Sequence, residues 1–197
     1  MWTNYDMDMS KRDSAFVAIC ALGDSGDTYS QEFLGCYYIG LKGKENKHLI
    51  EKGIDFCRKS LSRGAYHVGS CMADFYYKKG DIEMYIDILN KTIDNDVSKT
   101  ELGCFLIFGM SLYSNIGNSD EVYYRNLINT DRGVSLIKKA SENNIFEAMY
   151  HMGLLYYNGI VFDKNLELAK EYFLRCKNHE SFEGSYWQDD IEYYLEE

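Results

Sequence analysis

The chain of 197 residues contains no proline. Proline is a common helix stop, because its ring removes a backbone donor and clashes with the preceding turn. Helix ends must therefore be set here by glycine, asparagine and aspartate, and the 16 glycines are spread between apolar stretches as this role requires. Long apolar runs are also missing, so the sequence predicts neither a signal peptide nor a membrane span.

The six cysteines form no Cys-x-x-Cys pair and have no histidine at ligand spacing. Metal and redox motifs are therefore missing, and no cofactor or metal is predicted. Most of the cysteines occupy apolar helix positions, which predicts free, buried thiols in a reducing compartment. The predicted location is the cytoplasm, with the periplasm as the alternative if a signal peptide has been removed.

The chain also lacks an excess of positive charge. It carries 31 acids against 21 bases, and seven of the acids but none of the bases fall between Glu180 and Glu197. Nucleic acids and anionic membranes require a basic surface, so this balance argues against both as partners. An acidic C-terminal segment favours a protein partner with a basic surface, or serves solubility alone.

The clearest helical pattern runs from Ala140 to Cys176, where apolar residues recur every three to four positions on both sides of Gly159. This pattern predicts a helix-turn-helix hairpin. Gly153 lies inside the first helix, where glycine costs roughly 1 kcal/mol relative to alanine. We interpret it as a point at which a second helix backbone approaches too closely for a Cβ atom.

This stretch resembles the Sel-one-like repeat, a relative of the tetratricopeptide repeat. The residues that carry the resemblance are Ala148, Met152-Gly153, Tyr156, Gly159, Ala169, Tyr172-Phe173 and Cys176. The loop after Gly159 lacks the family's second glycine, and Cys176 replaces its last alanine. The Leu-Gly step of the repeat recurs with decay at Leu34-Gly35, Ala73-Asp74 and Phe108-Gly109, a period typical of stacked helical hairpins.

The resemblance covers about residues 28 to 178 and implies an all-α fold, a right-handed solenoid of about four stacked hairpins. We expect a single domain over 1–197, divided into an N-terminal helix at 11–27, hairpins at 28–62, 63–97, 98–144 and 145–178, and an acidic C-terminal cap at 179–197. Trp187, Ile191, Tyr194 and Leu195 lie at helical spacing and predict an amphipathic helix packed on the last hairpin. An insert at 115–131 carries specificity or reflects sequence drift.

No nucleophile elbow, phosphate-binding glycine loop or paired-histidine motif is present, and the four histidines are scattered. We therefore predict no catalytic site. The resemblance implies binding on a concave face, through residues three before, one after, and four to five after each repeat glycine. The candidates that follow are Glu32, Cys36 and Ile39, then Cys71, Phe75, Lys78 and Lys79, then Leu106, Met110, Tyr113 and Ser114, then Tyr150, Leu154, Tyr157 and Asn158. To these the acidic tail adds Asp189, Asp190 and Glu192.

The resemblance implies a non-enzymatic, protein-binding chain, and in particular a bacterial immunity protein that neutralises a cognate toxin by direct binding. A general adaptor or assembly scaffold is the first alternative. A β-lactamase-like member of the same family is the second, and the missing regular cysteine pairing argues against it. The chain is expected to be a monomer or a weak homo-oligomer.

Overall fold

The computed structural model describes residues 9–41, 46–66, 68–109 and 124–196. Within these ranges the regular structure is helical throughout, as predicted. The α-helices are α1 (Met9–Ser25), α2 (Thr28–Ile39), α3 (Lys47–Ser62), α4 (Val68–Lys78), α5 (Ile82–Lys91), α6 (Asp96–Phe108), α7 (Thr130–Glu142), α8 (Phe146–Asn158), α9 (Leu166–Lys177) and α10 (Gln188–Glu196). The chain divides into two compact units, Met1–Ile88 and Leu89–Glu197. The single domain and the repeat boundaries remain predictions.

Helix ends are set by the residue types that a proline-free chain requires. Side-chain oxygens of Asp27, Asn95, Asn129 and Asn165 accept hydrogen bonds of 2.9 to 3.2 Å from backbone N–H groups in the first turns of α2, α6, α7 and α9. At the other ends of α6 and α8, Gly109 and Gly159 adopt φ values of 73° and 66°, a left-handed conformation that suits glycine.

In the first unit, α2 and α3 form a hairpin held by a pair of facing glycines. A Cβ atom added at Gly53 would lie 2.9 Å from the carbonyl oxygen of Gly35, and one added at Gly35 would lie 3.2 Å from the backbone nitrogen of Cys57. The two backbones therefore touch where both residues lack a side chain. Leu34, Tyr38 and Phe56 form a core beside this contact, with α1 packed on it through Phe16 and Ile19.

The second unit repeats this device in the hairpin of α6 and α7. A Cβ atom added at Gly133 would lie 2.8 Å from the carbonyl oxygen of Gly103, and one added at Gly103 would lie 2.9 Å from that of Gly133. Cys104 and Ile107 of this hairpin pack with the following hairpin of α8 and α9. A second cluster, built around Phe173 and Ile191, joins that last hairpin to α10.

The structure has the third repeat six residues earlier in the sequence than the pattern predicts. The predicted step was Phe108-Gly109, but Gly109 ends α6, and Gly103 makes the close helix contact. The equivalent step is Leu102-Gly103, because Gly103 precedes its helix-ending glycine by six residues just as Gly153 precedes Gly159. Of the candidates drawn from the wrong register, Leu106 is buried, and Met110, Tyr113 and Ser114 lie outside the described residues.

The interpretation of Gly153 also needs correction. A Cβ atom there would lie 2.6 to 2.9 Å from three carbons of the Phe173 ring, and these are its nearest neighbours. The glycine makes room for an aromatic side chain of α9 rather than for a helix backbone. Hairpins with Gly35 and Gly103 use backbone contact, whereas the last hairpin uses a ring.

Candidate functional site

In the first unit, six of the predicted binding residues line one groove. This groove, called here the α2–α4 groove, has a volume of about 460 Å³ and lies between the C-terminal ends of α2 and α4, with Ile50 from the first turn of α3. The six predicted residues are Cys36, Ile39, Cys71, Phe75, Lys78 and Lys79. The seventh, Glu32, is 8% exposed, so its carboxylate does not belong to an open face.

The α2–α4 groove combines apolar side chains with two lysines. The Lys79 ammonium lies 4.4 Å from the centre of the Phe75 ring, a cation–π arrangement. Lys78 Nζ lies 2.6 Å from Asp74 Oδ2, in an exposed pair one helical turn apart. Two lysines against one carboxylate make the rim basic in a chain whose net charge is −10.

Three cysteines of α2, α3 and α4 lie together beside this groove. The Cys36 thiol interacts with those of Cys57 and Cys71, and this hydrogen bonding, together with burial, raises the pKa of both thiols well above the ordinary range. Thiols held in their protonated form are poor nucleophiles at neutral pH. The structure contains no disulfide among the six cysteines, all of which lie in the described residues.

In the second unit, the C-terminal segment packs on three of the four predicted binding residues of α8, and the fourth, Asn158, is exposed. Tyr150 is 4% exposed, its ring stacks 5.2 Å from that of Trp187, and its hydroxyl donates a 3.0 Å hydrogen bond to Asp190 Oδ2. Leu154 and Tyr157 belong to the same cluster. The prediction that Trp187, Ile191, Tyr194 and Leu195 pack on the last hairpin is confirmed.

The three predicted acids of the tail have different surroundings. Asp189 and Asp190 are exposed, and Glu192 is partly buried. Asp190 holds the hydroxyl of Tyr150, and Glu192 accepts a 3.4 Å hydrogen bond from Gln188. Asp190 therefore helps to fasten α10, a structural role that the sequence pattern did not predict.

A second groove lies at the other end of α10. This groove, called here the α8–α10 groove, has a volume of about 430 Å³ and is lined by Tyr157, Leu166, Phe173 and Tyr194 together with Lys164, Lys170, Glu167 and Ala169. The Lys164 ammonium lies 5.1 Å from the centre of the Tyr157 ring. Of the lining residues, only Tyr157 was among the sequence candidates.

An exposed row of aromatic side chains on α2 was missed. Tyr29, Phe33 and Tyr37 are 81%, 49% and 47% exposed, the rings of Phe33 and Tyr37 stack at 6.2 Å, and Phe16 of α1 packs edge-on against Tyr37. We call these three residues the aromatic ridge. Their spacing of four residues places them on one helix face, and this regularity was a signal that the sequence offered.

Two buried titratable side chains of the second unit were also missed. Glu101 on α6 is fully buried, and His151 on α8 is 8% exposed. The His151 ring lies among those of Phe108, Tyr150 and Trp187, with centroids 5.3 to 6.4 Å away. Neither of its nitrogens has a hydrogen-bond partner among the described residues, and burial lowers the pKa of His151 to about 4. This histidine is part of the core.

The described parts of the chain contain no group of three or more His, Cys, Asp or Glu side chains suited to a metal ion. Among the helices in those parts, none has the length and the apolar composition needed to cross a membrane.

Comparison with known proteins gives little support beyond this geometry. No family model matches the sequence, and no curated protein matches it. A solved structure, a Sel1 repeat protein from Oxalobacter formigenes, is 16% identical to this chain with a TM-score of 0.43, over 90% of this chain and 57% of its own length. The chain thus spans little more than half of that protein. A likeness this weak carries no argument, and the hairpin architecture stands on the contacts described above.

Proposed function

We propose that this chain is a non-enzymatic, protein-binding member of the hairpin-repeat class. The observation that carries the proposal is the aromatic ridge, three residues with large rings on one face of α2 that are 47% to 81% exposed. Apolar side chains grouped on a surface mark interaction sites, and aromatic residues are enriched where protein interfaces are most buried. A partner that covers the ridge removes this surface from water.

The finer form of the proposal is an immunity protein that binds a cognate bacterial toxin through a basic surface of the toxin. The acidic C-terminal segment supports it, because Asp189 is exposed at the start of α10 and Glu192 lies one turn further along. Opposite charges on two partners accelerate their encounter. A general adaptor or scaffold uses the same ridge without the toxin.

The test is binding of the purified product of the neighbouring open reading frame, measured by calorimetry with ridge variants. Changing Tyr29, Phe33 and Tyr37 together to serine should lower the affinity by about 2 kcal/mol or more, the range of interface hot spots. Changing Leu168 and Leu174 to serine, two exposed apolar residues of α9, is the control. If the ridge variant binds as tightly as the control, the ridge is not the interface.

If that product does not bind, the same variants serve in capture from extracts of the native host followed by mass spectrometry. A protein retained by the original chain and by the Leu168 and Leu174 variant, but lost with the ridge variant, supports the adaptor form. Retention of the same proteins by all three would remove the support for any function through the ridge.

A second measurement addresses the acidic segment. The double variant Asp189→Lys and Glu192→Lys should slow association with a basic partner and flatten its salt dependence, because steering acts through long-range charge. Asp190 is left unchanged, because it holds the Tyr150 hydroxyl. An association rate that is insensitive to both the reversal and added salt would leave the segment with a capping role only.

A further inference from the structure

The two grooves occupy the same place in two different hairpins. Each opens where the first helix of a hairpin ends and the second begins: Ile39 and Ile50 line the α2–α4 groove, and Tyr157 and Leu166 line the α8–α10 groove. Ile39 and Tyr157 both lie four residues after the repeat glycine, and Ile50 and Leu166 both lie in the first turn of the second helix. In each groove one more wall comes from the helix that packs next, through Phe75 of α4 or Tyr194 of α10.

The grooves also share a chemical device. In each, a lysine ammonium lies over an aromatic ring of the lining, Lys79 over Phe75 and Lys164 over Tyr157, at 4.4 and 5.1 Å from the ring centres. Each has a second lysine, Lys78 or Lys170, and each has a single carboxylate. Each groove thus holds one more lysine than carboxylates, whereas the chain as a whole has a net charge of −10.

We propose that both grooves bind acidic-apolar segments of a partner protein, in which a large apolar side chain is flanked by Asp or Glu. The inference rests on the proposed function only in taking the ligand to be a protein segment. The apolar side chain enters between the turn end of the hairpin and the following helix, and the flanking carboxylates face the two lysines. Volumes of about 430 and 460 Å³ fall within the range of about 300 to 1,000 Å³ typical of ligand pockets.

Charge complementarity decides for an acidic segment over a basic one. A basic segment would place its ammonium or guanidinium groups against two lysines in each groove, and like charges in an interface select against a partner. A purely apolar segment would leave Lys79 of the α2–α4 groove and both lysines of the α8–α10 groove without a carboxylate from the partner, whereas Lys78 already pairs with Asp74. Carboxylates beside the apolar side chain satisfy both requirements.

The test uses a short fluorescent peptide with a central Phe flanked by Glu residues, titrated into the full chain. The stoichiometry should be two peptides per chain. Replacing Glu by Lys, or the central Phe by Ser, should lower the affinity about tenfold or more, which corresponds to about 1.4 kcal/mol. Lys78→Glu with Lys79→Glu, and separately Lys164→Glu with Lys170→Glu, should each remove one of the two sites.

The matched control is Lys138→Glu with Lys139→Glu, an adjacent pair of exposed lysines on α7 outside both grooves. Its net charge change equals that of the groove variants, so it corrects for non-specific attraction. Circular dichroism confirms that each variant keeps its helices. An equal loss of affinity in the control and groove variants would overturn the proposal, and so would equal binding of the Glu and Lys peptides or a stoichiometry other than two.

Alkylation gives an independent readout in the first unit. Cys36 and Cys71 line the α2–α4 groove, whereas Cys20 is a partly exposed thiol of α1 outside it. Bound peptide should slow modification of Cys36 and Cys71 and leave Cys20 unchanged, and uniform rates would contradict the assignment of the site.

Sedimentation tests whether a second copy of the chain occupies the grooves instead. If the chain forms dimers that the groove variants dissociate, the grooves bind the acidic segment of the second copy, and the assignment to a partner protein is overturned. If these tests fail while capture of a partner still depends on the ridge, the groove assignment is wrong and the proposed function is unaffected.

Discussion

Protonation of His151 should destabilise the second unit as the pH falls. Burial among three aromatic rings lowers the pKa of His151 from 6.5 to about 4. Between these two values the unfolded chain binds a proton that the folded chain does not, so stability is complete above about pH 6.5 and is lost progressively towards pH 4. At 1.36 kcal/mol per pKa unit, the full loss is about 3 kcal/mol.

The variant that isolates this effect is His151→Leu, which replaces the ring by an apolar side chain in an apolar site. Urea unfolding is followed at a series of pH values from 7.5 to 4 through the fluorescence of Trp187, whose ring lies 6.1 Å from that of His151. A Trp2→Phe background makes Trp187 the sole tryptophan, since the chain has two. Carboxylates also titrate in this range, but they are common to both proteins, so their effect cancels in the difference.

Between pH 7 and pH 4, the free energy of unfolding of the parent should fall by about 3 kcal/mol more than that of His151→Leu. His48→Gln, at an exposed site on α3 in the other unit, is the control for the loss of one histidine. Parallel pH profiles of the parent and His151→Leu would refute the reasoning, because they would show that the ring titrates alike in the folded and unfolded chains.

Further predictions concern packing, the attachment of α10 and the thiols. Gly103→Ala should destabilise the second unit by about 1 to 3 kcal/mol in urea unfolding, despite the better helix propensity of alanine, because its Cβ atom would lie 2.6 Å from Ile137 Cγ1 and 2.9 Å from the Gly133 carbonyl oxygen. The control is Gly40→Ala, whose Cβ atom would have its nearest neighbours at 3.5 Å. Equal stability of the two variants would disprove the close contact. Tyr150→Phe should cost about 1 kcal/mol through loss of the hydrogen bond to Asp190, and should speed hydrogen exchange in α10; unchanged exchange would show that the bond does not fasten that helix. Alkylation of the unfolded, unreduced protein should add six adducts by mass, whereas in the folded protein the buried Cys57, Cys104 and Cys176 should react last; fewer adducts would reveal disulfides.

Helix positions followed closely from the sequence, whereas the hairpin contacts did so only in part. In a chain without proline, the residues that end helices are few and recognisable: Gly159 lies at the turn predicted for it, and Asn129 and Asn165 are of a residue type expected at helix ends. The predicted position of the third repeat is wrong for a specific reason. Gly103 and Gly109 each follow a large apolar residue, and only the end of α6 shows that one is a contact and the other a cap.

The candidate site was predictable where side chains of neighbouring helices converge in the expected register. The positions counted from Gly35 and Asp74 meet in the α2–α4 groove. Of those counted from Gly153, Tyr150 and Leu154 pack against the C-terminal segment, because the amphipathic stripe predicted from the sequence packs on that face. Burial of His151 was beyond prediction, since helical periodicity does not show which polar residue of an apolar helix turns inward.

The docking of α10 has a consequence for assembly. In the α6–α7 hairpin, Cys104 and Ile107 pack against the next hairpin, whereas the corresponding residues of α8, Leu154 and Tyr157, pack against α10. The C-terminal helix thus takes the place that the first helix of one more hairpin would fill. Stacked repeats can in principle grow end to end without limit, because each unit offers at one end the surface that it uses at the other. Because α10 of the same chain covers this surface, a second copy could dock on Leu154 and Tyr157 only after displacing α10.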